Sequence, residues 1–291
     1  MSPSRYIQIG PLGVKYNSLA NDLYKAFDQQ TQQWVVIKVR SKSASCNDKK
    51  REAFEDEIKM AFRLDHPHIL HPLEHGDAPL FANQPPARFI VYPFVEGGSL
   101  YDFLIKYPSW KQWPLIQIAK VICQAASALG YMHQQSPQLI HRDVKPENFL
   151  IRREQKSARI EHIFLTDFGI ASTLDPRNPI AGDPRGTPAY MAPEQFKRGR
   201  AECRSDQYVL AFMACYLLTG QYPLQADEPS EWGMWEDAHT HFPPQSPSSL
   251  SAGRVPCAVD DVVLKALSKD PDQRFDKIED FAYQFYRALS P

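Results

Sequence analysis

An α+β fold of two unequal lobes is the architecture that the sequence predicts, and three observations predict it. Strand composition with polar turns fills most of the first ninety residues, one amphipathic helix interrupts it, and helical periodicity dominates from Ser99 onward. The pattern changes at residues 93–98, where a proline and a glycine pair supply a break. We therefore expect one domain over 1–291, with a small lobe at 1–92, a hinge at 93–98 and a large lobe at 99–291.

The elements of the small lobe follow from residue type and spacing. Asp48–Leu64 is charged and carries apolar residues at three- and four-residue spacing, which predicts a helix that ends before Pro67. Arg88–Tyr92 predicts a short strand. Three earlier strands are predicted where β-branched and aromatic residues alternate with turns of Asn, Asp and Gln, at Tyr6–Leu12, Asp22–Phe27 and Trp34–Val39.

The large lobe is predicted to be mainly helical because its apolar residues recur at helical spacing. Pro114 suits the first turn of a helix, and Asp206 suits an N-cap. Trp232, Met234 and Trp235 form an apolar group that indicates either a satellite core cluster or a docking surface. The predicted helices are Leu100–Tyr107, Pro114–His133, Asp206–Leu218, Ala258–Leu267 and Lys277–Leu289.

Composition excludes several classes of function. The 291 residues are 43% hydrophobic and 23% charged, which is ordinary for a globular protein. Lys and Arg number 33 against 34 Asp and Glu, so the basic excess typical of nucleic-acid binding is missing and we expect no nucleic-acid partner. Purely apolar runs are only a few residues long, so we expect no membrane segment in this chain. Five widely spaced cysteines without a C-x-x-C pair favour reduced thiols and a cytoplasmic location.

The strongest chemical signal is the segment His141-Arg-Asp-Val-Lys-Pro-Glu-Asn148, followed by Asp167-Phe-Gly169. Phosphoryl transfer from a nucleotide needs a carboxylate that accepts the hydroxyl proton, oxygen ligands for Mg²⁺ and a cation against the phosphates. Asp143 suits the first role, Asn148 and Asp167 suit the second, and Lys38 suits the third. The scattered His and Cys residues offer no zinc-like spacing.

The sequence resembles the protein kinase family, specifically bacterial serine/threonine kinases of the eukaryotic type, from about Tyr6 to Ala288. This resemblance implies the two-lobed kinase fold, with an antiparallel β-rich N-lobe that holds one helix and a mainly helical C-lobe. It also implies ATP and Mg²⁺ as cofactors, a protein substrate bearing Ser or Thr, and an ion pair between Glu194 and Arg274. The motifs stand in the family's order, as Val35-Val-Ile-Lys38, Phe89-Ile-Val-Tyr-Pro-Phe-Val95, Gly186-Thr-Pro-Ala-Tyr-Met-Ala-Pro-Glu194 and Asp270-Pro-Asp-Gln-Arg274.

The resemblance also assigns roles to single residues. Asp143 is the expected catalytic base, and Lys145, Asn148 and Thr187 are expected beside it. Lys145 and Thr187 indicate a serine/threonine acceptor rather than a tyrosine acceptor. Asn148 and Asp167 are the expected metal ligands. The expected nucleotide-binding set is Leu12, Gly13, Leu23, Val36, Lys38, Glu57, Pro93, Val95, Leu150 and Asp167.

The glycine-rich loop departs from the family's pattern, because only Gly13 of the expected glycines is present before Leu23. Glycines let backbone N–H groups approach phosphate closely, so the departure bears on nucleotide affinity. An alternative function is therefore a pseudokinase that binds or scaffolds without transferring phosphate. Against it, the chain keeps Lys38, Asp143 and Asp167, which pseudokinases usually lose. The oligomeric state, including a homodimer, is left open.

Overall fold

The fold is known from a computed structural model, in which the chain divides into two compact units, Met1–Glu96 and Gly97–Pro291. Their boundary lies inside the segment 93–98 predicted as the hinge. The structure describes residues 5–12, 21–40, 48–80, 86–153, 159–169, 171–173, 187–196, 201–224 and 232–290.

The described residues of the first unit form one five-stranded antiparallel sheet and one helix. The helix, α1 (Asp48–Arg63), forms where the sequence predicted one, at Asp48–Leu64. The strand β4 (Glu74–Ala78) was missed because it contains no β-branched residue and no Phe, Tyr or Trp. Among the described strands, it pairs with β5 (Ala87–Pro93) alone and forms an edge of the sheet. In sheet order the strands are β1 (Tyr6–Pro11), β2 (Asn21–Asp28), β3 (Gln33–Arg40), β5 (Ala87–Pro93) and β4 (Glu74–Ala78).

Strand alternation separates the two faces of this sheet. Val35, Ile37 and Val39 of β3 are buried in an apolar cluster on one face. Val36 and Lys38 therefore point to the opposite face, since successive side chains of a strand alternate. The predicted functional lysine thus lies on the face away from this apolar cluster.

The second unit is mainly helical, as predicted, and its described residues also form two short antiparallel strand pairs, which the sequence analysis did not predict. One pairs β6 (Leu139–Ile140) with β9 (Ser172–Thr173), and the other pairs β7 (Phe149–Arg153) with β8 (Ile160–Leu165). The helices of its described segments are α2 (Leu100–Lys106), α3 (Leu115–His133), α4 (Pro193–Phe196), α5 (Cys203–Thr219), α6 (Trp232–His241), α7 (Pro247–Leu250), α8 (Asp260–Ala266) and α9 (Ile278–Leu289).

The start of α5 differs from the prediction. The helix begins at Cys203, where Glu202 and Ser205 form a reciprocal capping box, with the Glu202 amide donating to Ser205 Oγ at 3.0 Å. Asp206 is therefore not an N-cap: it lies one turn inside the helix and is 1% exposed.

The helix α6 was missed, although its tryptophans had been noticed. Trp235 is buried against the rings of Phe212 and Tyr222, and Trp232 contacts the ring of Phe196. Trp235 therefore belongs to the core of the second unit, whereas Trp232 and Met234 are partly exposed.

The helix α3 is the one described helix that is long and apolar enough to cross a bilayer, with 19 residues and a mean hydropathy of 1.3. The expectation of no membrane segment rested on the length of uninterrupted apolar runs, whereas α3 is identified by its mean hydropathy over 18 residues. Of its most apolar window, 56% is buried inside the protein, which is typical of a core helix. It packs closely on α9: a Cβ added at Gly130 would overlap the Glu279 carboxylate.

Candidate active site

The predicted site residues fall into two groups, one in each unit. In the first unit, Lys38 of β3 and Glu57 of α1 form an ion pair with an Nζ–Oε1 distance of 2.5 Å. Their exposed fractions are 7% and 3%. Phe54 and Ile58 are buried on the same face of α1 at helical spacing, so that Glu57, which lies between them along the chain, faces the sheet that carries Lys38.

A second ion pair fixes α1 to the sheet. Arg88 of β5 donates from Nε and Nη2 to the two carboxylate oxygens of Glu55, at 2.8 Å each. The Arg88 hydrogen bond holds the pKa of Glu55 below its ordinary value. Because Glu55 precedes Glu57 by two residues, this two-point contact limits rotation and sliding of the helix that carries Glu57.

The register of the sheet gathers several of the predicted nucleotide-binding residues. Leu23 of β2 pairs directly with Lys38 of β3, and Val36 lies two residues before Lys38, so the three share a face. The amide of Leu12 donates to the carbonyl of Leu23 at 2.9 Å. Gly13 lies outside the described residues.

Three other members of the nucleotide-binding set lie elsewhere. Pro93 ends β5 opposite Val35, and Val95 follows it; both are partly exposed. Leu150 belongs to the second unit, where it is partly exposed on β7 and forms a bridge with Ser99.

In the second unit, the four predicted catalytic residues form one connected polar cluster. Asp143 Oδ2 accepts from Lys145 Nζ at 2.7 Å and from Asn148 Nδ2 at 2.9 Å. Lys145 Nζ also donates to Thr187 Oγ1 at 2.9 Å. The other carboxylate oxygen of Asp143, Oδ1, is buried and has no hydrogen-bond partner among the described residues. This oxygen is the one available to accept a proton from a hydroxyl group.

The backbone is strained at the residue before Asp143 and at Asp167. Arg142 and Asp167 have φ angles of 68° and 65°, in the left-handed region that non-glycine residues rarely adopt. Such strain persists only where the surroundings fix the backbone, and it is concentrated at functional sites.

The anchor of this loop is Asp206, whose role the sequence analysis missed. Its carboxylate accepts from the amides of His141 and Arg142, at 2.9 Å each, and contacts His133 Nε2 at 2.8 Å. Burial alone would raise the pKa of Asp206, but the His133 hydrogen bond and neighbouring charge hold it below its ordinary value. An acidic residue separated by one glutamine from the apolar run Tyr208–Cys215 was the available signal, because a buried charge requires partners.

Asn148 and Asp167 lie at the same end of the β7–β8 hairpin. Phe149 pairs with Leu165, and the amide of Thr166 donates to the carbonyl of Asn148 at 2.9 Å. The side-chain nitrogen of Asn148 donates to the main-chain carbonyl and to the carboxylate of Asp143, which leaves the Asn148 amide oxygen as the metal-binding atom. One amide and one carboxylate oxygen fit Mg²⁺, which prefers hard oxygen ligands.

The segment of residues 187–196, which carries Thr187, is anchored near its C-terminal end. Glu194 and Arg274 form the predicted ion pair, with two hydrogen bonds of 2.8 and 2.9 Å. Gln195 accepts from the amide of Ala192 at 2.8 Å and contacts the carbonyl of Arg142 at 3.4 Å. The segment is therefore tied both to the helical core and to the loop of Asp143.

These contacts define a class of protein before any comparison. A buried lysine–glutamate pair suits the phosphates of a nucleotide, and an available carboxylate oxygen beside a lysine suits transfer to a hydroxyl group. The combination is that of a nucleotide-dependent phosphotransferase.

Comparisons with known proteins give the family. The family model described as protein kinase domain matches residues 20–285, so the chain belongs to the protein kinase family. The serine/threonine-protein kinase pkn3 of Myxococcus xanthus is 32% identical over 254 residues, which are 85% of this chain and 44% of that protein. The serine/threonine-protein kinase PknD of Mycobacterium tuberculosis (strain CDC 1551 / Oshkosh) is 33% identical over 270 residues, which are 92% and 38% of the two chains. The chain thus spans less than half the length of these two relatives.

A solved structure agrees on the fold. The crystal structure of the Mycobacterium tuberculosis PknI kinase domain matches with a TM-score of 0.67 at 26% identity, covering 99% of both chains. The predicted kinase fold is confirmed.

Proposed function

We propose that this chain is an active serine/threonine protein kinase domain, which transfers the terminal phosphoryl group of ATP to Ser or Thr hydroxyls of proteins. The observation that carries the proposal is the complete cluster around Asp143, with one buried carboxylate oxygen left available. Two relatives that are 32% and 33% identical to this chain over the aligned residues are named serine/threonine-protein kinases, which supports the same acceptor.

The geometry suggests how the acceptor hydroxyl is handled. Asp143 Oδ2 is occupied by Lys145 and Asn148, so the hydroxyl would donate its proton to Oδ1 as the phosphoryl group leaves the nucleotide. Lys145 bridges Asp143 and Thr187, where its ammonium group would compensate charge on the transferred group. Thr187 would border the acceptor residue.

ATP and Mg²⁺ are the cofactors that the family implies. When bound, Mg²⁺ compensates the charge of the transferred phosphoryl group. Asn148 and Asp167 would hold the metal through their side-chain oxygens, and Lys38, oriented by Glu57, would hold the phosphates. A cytoplasmic location, where ATP is available, follows as part of the same proposal.

No observation favours the pseudokinase alternative. Lys38 is paired with Glu57, and Asp143 is connected to its expected partners. The glycine-rich loop, whose composition raised the alternative, falls mostly within residues 13–20, outside the described residues.

The test is the substitution Asp143→Asn. The amide oxygen can still accept from Lys145 and Asn148, so the fold and nucleotide binding should persist, whereas transfer to a Ser/Thr peptide should fall by about 100-fold or more. Binding is measured as thermal stabilisation by Mg-ATP, which at 100 times the Kd is about 2.7 kcal/mol.

The matched control is Asp272→Asn, whose side chain is 85% exposed, and it should transfer phosphate at the wild-type rate. An Asp143→Asn protein that keeps more than a few per cent of wild-type turnover would show that another group accepts the proton.

A further inference from the structure

His239 of α6 is a polar side chain inside an aromatic cluster. It is fully buried, with its ring stacked on Phe196 at a centroid distance of 5.7 Å and lying 5.1 Å from Phe212 and 5.6 Å from Trp235. A buried imidazole is costly unless both of its nitrogens have partners. Both partners are present.

The two hydrogen bonds of His239 have fixed directions. Burial lowers the pKa of His239 to about 3, so the ring is neutral at physiological pH. Nε2 lies 3.3 Å from the carbonyl oxygen of Ala189, which only accepts, so Nε2 carries the hydrogen. Nδ1 is then the acceptor and receives the hydroxyl hydrogen of Tyr208 at 3.0 Å.

Ala189 and Phe196 belong to the segment that carries Thr187. Ala189 is two residues after Thr187, in the turn that the Tyr190 amide closes on the Thr187 carbonyl at 2.7 Å. Phe196 ends α4, the helix at the far end of the same segment. His239 thus contacts the segment at both ends.

We propose that His239 is a positioning residue for the protein acceptor: through Ala189 and Phe196 it fixes the segment of Thr187, and thereby sets the KM for the acceptor without affecting the KM for ATP. This inference rests on the proposed kinase function. Lys38 and Glu57, which are assigned to the nucleotide phosphates, belong to the first unit, whereas the Ala189, Phe196 and Tyr208 contacts of His239 belong to the second.

Two substitutions separate the hydrogen bonds of His239. In His239→Gln, the side-chain nitrogen reaches about as far as Nε2 and can still donate to Ala189. In His239→Asn, the side-chain oxygen takes the place of Nδ1 and keeps the Tyr208 bond, but no group reaches Ala189. We expect His239→Asn to raise the KM for a Ser/Thr peptide by about tenfold and His239→Gln by less than about threefold. In both variants the KM for ATP should stay within about twofold of the wild type.

The control is His241→Gln, two residues along the same helix, whose side chain is 69% exposed and should tolerate the change without effect on either KM. Equal effects of His239→Asn and His239→Gln, or a parallel rise of both KM values, would show that the residue only fills the core and would overturn the proposal.

A second measurement does not depend on turnover. Amide hydrogen exchange across residues 187–196 should be faster in His239→Asn than in His239→Gln, and unchanged exchange would overturn the proposal. If His239→Asn does not fold, Tyr208→Phe takes its place: losing the donor to Nδ1 should loosen the ring and raise the peptide KM alone, and an unchanged peptide KM would overturn the proposal. A wild-type chain that transfers phosphate to no acceptor would instead refute the proposed function itself.

Discussion

Replacing Glu194 with alanine should remove about 3–5 kcal/mol of stability from the second unit, because it leaves the guanidinium group of Arg274 buried without its counter-ion. The Arg274 side chain is 0% exposed. All five of its N–H groups have acceptors: two on Glu194, and one each on the carbonyls of Ser268, Arg204 and Lys269. The substitution therefore leaves two buried N–H donors without acceptors and one buried charge without a counter-ion.

The magnitude follows from the two lost bonds. Hydrogen bonds between charged groups contribute about 1.5–3 kcal/mol each, which agrees with the cost of breaking a buried pair from one side. For a unit of roughly 200 residues, this corresponds to a lower melting temperature by roughly 6–20 °C. Adding Arg274→Met to the Glu194→Ala variant should recover part of the lost stability, because the unpaired buried guanidinium charge is then removed.

The assay is urea unfolding followed by circular dichroism, with Arg204→Ala as the control. Arg204 pairs with Asp272 and Asp276, whose side chains are 85% and 86% exposed, so its loss should cost less than about 1 kcal/mol. Arg204→Ala retains the backbone carbonyl at position 204 that accepts a hydrogen bond from Arg274. Equal losses for Glu194→Ala and Arg204→Ala would refute the reasoning, since burial would then have no effect on the strength of the pair.

Two further predictions concern the first unit. Lys38→Met and Glu57→Gln should each lower kcat/KM, and the double variant should lose less than the sum of the two, because the residues act as one ion pair; additive losses would contradict this. The Arg5 hydrogen bond lowers the pKa of Asp28 from 3.8 to about 2, so Asp28 contributes about 2 kcal/mol of stability above pH 4 that is lost as the pH falls towards 2. Arg5→Ala should reduce this loss of stability when the free energy of unfolding is measured by urea titration at several pH values between 2 and 6. Equal losses in the two proteins would contradict the assignment.

Much of the fold could be predicted because its signals are local. The strands and helices with clear periodicity, such as β3 and α3, were found within one or two residues. Others lack that signal: β4 has a polar sequence and forms because β5 offers it a partner, and α6 contains Gly233 and residues of modest helix propensity. Their formation depends on packing, which sequence periodicity does not report.

The same distinction applies to the candidate site. Asp143, Lys145 and Asn148 lie within six residues, so their association could be predicted from one motif. Asp206 lies 65 positions from His141, and His239 lies 50 positions from Ala189. A carboxylate one turn inside a helix and an imidazole in an aromatic cluster gain their roles only once the chain has folded, which is why the sequence predicted an N-cap for the first and nothing for the second.

The contact of Asp206 with main-chain amides has a consequence for how this domain can change during evolution. An amide donor is present in every residue except proline, so positions 141 and 142 can vary in side chain without losing the bonds that shape the loop. The constraint is transferred instead to one remote position, where a carboxylate cannot be replaced by an apolar residue without releasing both amides. A mutational scan should therefore find low tolerance at Asp206 even for substitutions that keep the helix intact, because the carboxylate serves a loop that lies 65 positions away in the sequence.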